Sequence, residues 1–170
     1  MQGLLAVNNS QDHARVTGKV VNLFLLSADA GIQRRVSGLV IRTSWKLQIV
    51  MSLDQMLERL SVDFIPVILA DEKFPGGDWK KLIEETARLP FPPRIIIISA
   101  SPGIELWEQV VLAGGYHVLT ARLSEAEFFP EVFEAWQSAK RLWERRAAPK
   151  SPGRELRDLE GEPSMSSGAA

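Results

Sequence analysis

VILADEKFPGGDW, residues 67–79, decides how the rest of the chain is read. Four apolar residues, Val67 to Ala70, run straight into Asp71. Pro75, Gly76 and Gly77 follow, then Asp78 and Trp79. A short continuous apolar run reads as a strand covered on both faces. The proline and glycines read as a turn. A carboxylate closing such a strand stands at the edge where parallel sheets gather their chemistry.

Working outward, the same alternation recurs on both sides. Apolar runs at 20–26, 46–52, 66–70, 94–99 and 116–120 predict five strands. Helical periodicity predicts helices over 30–43, 52–60, 78–88, 103–113 and 124–145. Ser52 is a plausible N-cap, and "SEAE" at 124–127 fits a capping box. Gly114 and Gly115 are a helix stop, and Pro130 should perturb the early turns of the last helix. Strands alternating with helices mean crossover connections and a doubly wound α/β fold with a five-stranded parallel sheet. Periodicity does not give the strand order.

The ends read differently. Residues 1–18 are polar with weak periodicity, and residues 147–170 are rich in Pro, Gly, Ser and charge. Both are expected to be disordered segments flanking one domain, 19–146. "RELRDLE" in the tail could serve as a short partner-binding segment.

Composition excludes several classes of function. With 20 basic and 21 acidic residues there is no basic excess to bind nucleic acid or a membrane surface. Absence of cysteine removes disulfides, thiolate metal sites and thiol nucleophiles. Two histidines, His13 and His117, are too few for a histidine metal cluster. No apolar run reaches the roughly 18 residues of a membrane span, and no signal peptide is legible, so a cytoplasmic location is expected.

What closes each strand is therefore the place to look. The first strand ends in Ser27 and Asp29, the third in Asp71, the fourth in Ser99 and Ser101, the fifth in Thr120 and Arg122. A carboxylate, hydroxyls and a cation converge on one edge.

These residues resemble the receiver domain of response regulators, with its flavodoxin-like, CheY-like fold, over residues 20–145. Asp71 with Pro75 four residues later matches that family's phospho-acceptor segment. "SA" at 99–100 and "LAGGYHVLTAR" at 112–122 match two further segments. The chain looks like a divergent, single-domain member. The resemblance implies a two-component phosphorelay protein rather than an enzyme. Asp71 would accept a phosphoryl group from a histidine kinase or phosphotransfer protein, and Ser99 would contact that group. Mg²⁺ would sit on Asp29 and Asp71. Signalling would pass by contact with a downstream protein or a second copy, through the fourth and fifth helices and the fifth strand.

Three positions depart from the family pattern. Only one acid, Asp29, follows the first strand where the family has a pair, which weakens a Mg²⁺ site. Ala121 stands at the family's lysine, with Arg122 beside it as a substitute cation. Val118 stands at the switch aromatic, with Tyr116, two residues earlier and expected on the same face, as a weak substitute. The alternative is thus a degenerate pseudo-receiver, a phosphorylation-independent interaction or dimerisation module. A flavodoxin-like or hydrolase-type enzyme is disfavoured, because there is no phosphate-binding glycine loop and no G-x-S-x-G elbow. Of the five tryptophans, Trp136 and Trp143 lie seven apart on the last helix and share a face. That stripe reads as core, or, at its outer end, as a partner contact.

Overall fold

The computed structural model describes residues 20–149. In chain order the elements are β1 (Asn22–Leu26), α1 (Ala30–Val40), β2 (Lys46–Val50), α2 (Leu53–Val62), β3 (Val67–Asp71), β4 (Lys73–Phe74), β5 (Gly77–Asp78), α3 (Trp79–Ala87), β6 (Arg94–Ser99), α4 (Ile104–Leu112), β7 (His117–Thr120) and α5 (Glu125–Ala147). The N-terminal segment expected to be disordered, and the tail beyond residue 149, lie outside the described residues.

Five strands pair in the order β2-β1-β3-β6-β7, and every pairing is parallel. Side chains of a strand alternate between faces, so a strand apolar throughout serves two cores. Leu23, Leu25, Val67, Leu69, Ile96 and Ile98 pack with α1 and α5 on one face. Phe24, Leu26, Ile68, Ala70, Ile95 and Ile97 pack with α2, α3 and α4 on the other. Edge strand β2 buries only Val50, which suits its polar content. The direction of winding reverses between β1 and β3, so a crevice opens above their carboxyl ends. Asp71 closes β3 there.

Local chemistry explains most boundaries. Ser52 caps α2 by accepting from the Gln55 amide, as the sequence predicts. Gly114, at φ 101°, ends α4 in the left-handed region, and the Gly115 amide donates to the Val110 carbonyl at 2.8 Å. Two details differ from the sequence reading. The 73–78 turn is a small antiparallel hairpin, β4–β5, that buries Phe74. Ser124 precedes α5 without a side-chain cap, because Glu127 reaches instead to the Thr120 amide and hydroxyl at 3.5 and 3.3 Å. Pro130 lies in the second turn of α5, and the helix continues through it to Ala147. Among the described residues no helix is long and apolar enough to cross a membrane.

Candidate functional site

Strand register sets the first contact of the site. Leu26 pairs with Ala70, which carries the next residues, Ser27 and Asp71, level with each other. Ser27 is fully buried, and its hydroxyl donates to Asp71 Oδ2 at 2.6 Å. The same Oγ accepts from the Asp29 amide at 3.1 Å, and Gln33 donates to the Ser27 carbonyl. Ser27 is therefore held by two contacts while it holds Asp71.

Asp29 is spent on the backbone. Its Oδ1 accepts from the Gly31 and Ile32 amides at 2.7 and 3.0 Å, which caps α1. Its charge nevertheless reaches Asp71. Burial pushes the Asp71 carboxyl above its ordinary pKa, the Ser27 hydrogen bond pulls it back, and Asp29 pushes it up further. Among the described residues, no lysine or arginine forms an ion pair with Asp71.

Ser99 is buried at the end of β6, but its hydroxyl donates to Glu72 Oε1 and accepts from the Ser101 amide. Glu72, directly after Asp71, was missed by the sequence reading. Its signal was the adjacent pair of acids in "ADEK". Arg122 is exposed and forms no hydrogen bond or ion pair with the described residues. The guanidinium that does arrive after β7 is Arg35, from α1, which donates to the Ala121 carbonyl at 2.5 Å. Arg35 and Arg122 border a 350 Å³ cleft with Ala100, Pro102, Thr120 and Ala121. No sequence signal marked Arg35, because its target lies 86 residues away.

The expected substitute for a switch aromatic is corrected. Tyr116 precedes β7 at the amino end of the sheet and packs on the α1/α5 side, under the Arg94 guanidinium. Val118 packs on the opposite side. Two-residue alternation fails here because Tyr116 lies outside the strand. His117 accepts from the Trp107 indole at 3.3 Å and stands 3.8 Å from Glu131.

The residues present do not fit the Mg²⁺ that the fold implies. Mg²⁺ takes hard oxygens in a near-octahedral shell, usually with one or two free carboxylates. Here one oxygen of Asp29 caps a helix and one of Asp71 accepts the Ser27 hydrogen bond. No group of three histidines or acids that could hold a metal occurs among the described residues.

No family model matches the sequence, and no curated protein matches it. Solved structures do match. One is the signal receiver domain of an HD domain-containing protein from Pseudomonas fluorescens Pf-5, with TM-score 0.66 and 17% identity over 74% of this chain and 93% of that one. A CheY-like receiver domain protein from Methanospirillum hungatei JF-1 gives TM-score 0.61 and 13% identity over 73% and 99%. The beryllofluoride-activated NtrC4 receiver domain dimer gives 0.63 and 18% over 69% and 98%. Many further similar structures are also receiver domains. With its 2-1-3-6-7 sheet, its five helices and Asp71 at the switch point, the chain has the CheY-like receiver fold.

Proposed function

We propose that this chain is a receiver-like signalling module of the two-component type that works by protein contact without phosphorylation. The observation that carries this reading is the buried Ser27 hydroxyl on Asp71 at 2.6 Å, in a site with no paired cation among the described residues. Phosphoryl transfer to a carboxylate needs an ionised nucleophile and positive charge around the transferred group. Ser27 occupies one of the two Asp71 oxygens, and no lysine or arginine among the described residues forms an ion pair with that carboxyl. The contact surface of this reading is α4. Ile104, Trp107, Val111 and Leu112 are all exposed there, with Leu112 at 87%. Four large apolar side chains on one solvent-facing helix suit a protein partner or a second copy.

A second reading keeps Asp71 as phospho-acceptor, with Ser99, Asp29 and Arg122 in support and a histidine kinase or phosphotransfer protein upstream. It is favoured by the place of Asp71 at the switch point and by its Oδ1, which takes no hydrogen bond from the described residues. Intact-mass and amide spectra with Mg²⁺ and acetyl phosphate, or with beryllofluoride, separate the two. The first reading expects no adduct and no spectral change while a control receiver reacts. An adduct mapped to Asp71 establishes the second. Leu112→Glu should abolish partner binding or self-association under the first reading, whereas Asp71→Asn should leave it intact.

A further inference from the structure

The opposite edge of the sheet carries a feature that neither reading uses. Phe64, Phe91 and Trp143 meet there, with ring centroids 5.5 to 6.1 Å apart. They come from the loop before β3, the loop before β6 and the end of α5. Phe64 and Val62 are each 71% exposed. With Leu60, Leu89 and Pro90 they border an apolar groove of 280 Å³. The last turns of α5 are fastened beside it. Trp143 donates its indole N–H to the Pro92 carbonyl at 3.1 Å, and Arg146 donates to the Pro90 carbonyl at 2.8 Å. Exposed apolar residues gathered in this way ordinarily mark a binding surface.

We propose that the groove is occupied by the chain's own C-terminal segment, residues 155–162, ELRDLEGE. Three observations identify this occupant. The chain leaves α5 at Ala147, one residue after the arginine bonded to the groove's rim. Only seven residues then separate Ala147 from Glu155, and a chain spans up to roughly 3.3 Å per residue, ample to cross the groove. The charges are complementary. Residues 140–146 carry Lys140, Arg141, Arg145 and Arg146 against Glu144, and residues 155–162 carry Glu155, Asp158, Glu160 and Glu162 against Arg157. Leu156 and Leu159, three apart, supply the apolar pair for the groove. Tethering holds the segment at a local concentration on the order of millimolar, so a weak contact suffices. The inference does not rest on the state of Asp71, which lies at the other edge.

The chain has no cysteine, so a single spin label can be placed cleanly. Glu160→Cys in the intact, isotope-labelled chain, carrying a nitroxide, should bleach the amide signals of Val62, Phe64 and Phe91. Bleaching should persist on dilution. It should be lost in Leu156→Asp/Leu159→Asp, and also in Phe64→Ser if the rest of the spectrum is unchanged. Intact groove signals beside the label overturn the proposal. So does bleaching seen only when labelled and spin-free chains are mixed, which assigns the groove to a second copy. Bleaching by a label at Ser10→Cys but not at Glu160→Cys assigns it to the N-terminal segment instead.

Discussion

The two edges of one sheet have opposite characters. At the carboxyl edge the polar side chains are nearly all engaged: Ser27 with Asp71, Asp29 with the start of α1, Ser99 with Glu72, Arg35 with the Ala121 carbonyl. No buried side-chain polar atom among the described residues lacks a partner. At the amino edge two hydrogen bonds fasten the end of α5, but the apolar packing is incomplete, with Phe64 and Val62 largely in solvent. A satisfied polar network fixes one arrangement, because releasing a buried group leaves it without water or partner. An open apolar groove does the reverse and favours whatever covers it. The edge with the recognisable chemistry is thus the one whose polar groups are satisfied, and the other edge leaves large apolar side chains in solvent.

Both edges hang on the same core, and the largest effect should come from breaking it. Phe128 is fully buried against Trp45 and Phe129 on the α1/α5 face. Phe128→Ala should cost about 3–5 kcal/mol by cavity formation, read from urea unfolding. Loss of that size should loosen both edges together in amide exchange. Loosening of one edge alone would mean that the edges are supported separately.

Ser27→Ala tests the carboxyl edge more selectively. It removes the hydroxyl that relieves Asp71 and should cost about 1–3 kcal/mol. The Asp71 carboxyl should then titrate higher still, by carboxyl-carbon NMR, because the one contact that lowers its pKa is gone. An unchanged titration would remove Ser27 from the account of this site.

A smaller, pH-dependent effect follows from the sign of the Asp71 shift. Its folded pKa lies above the ordinary aspartate value, so the folded state keeps a proton that the unfolded chain has released. Stability should fall as pH rises from the ordinary value through the raised one, then level off. Asp71→Asn should remove that slope, gaining stability toward neutral pH and matching wild type in acid. Urea midpoints across this window check it, and a wild type that gains stability over the same rise would reverse the sign.

The smallest change belongs to Arg122. An exposed side chain without a partner should tolerate Arg122→Ala within about 0.5 kcal/mol. Arg35→Ala should exceed it, because the Ala121 carbonyl loses its donor. The reverse order, by thermal unfolding, would make Arg122 the anchored cation.

Much of this fold was legible before any coordinates. All five sheet strands and five helices fall on predicted segments, with ends displaced by a few residues. The β4–β5 hairpin was not legible, since two-residue strands leave no period to detect. At the site, Asp71, Asp29 and Ser99 were found as strand-end residues. The roles of Glu72 and Arg35 were not: Glu72 was marked only by its adjacency to Asp71, and nothing in the local pattern of Arg35 sets it apart from a solvated charge.

By itself the sequence determined the alternation of elements, the two-sided burial of the central strands and the place of Asp71 at a strand end. Those follow from periodicity and from proline and glycine punctuation, which act over a few residues. Only the tertiary structure decided who meets whom. Ser27 reaches Asp71 across 44 residues, Ser99 reaches Glu72 across 27, and Trp143 reaches Pro92 across 51. Such contacts depend on strand order and register, which local pattern does not encode. They set a buried serine on the Asp71 carboxyl, and they gathered three scattered aromatics into one cluster.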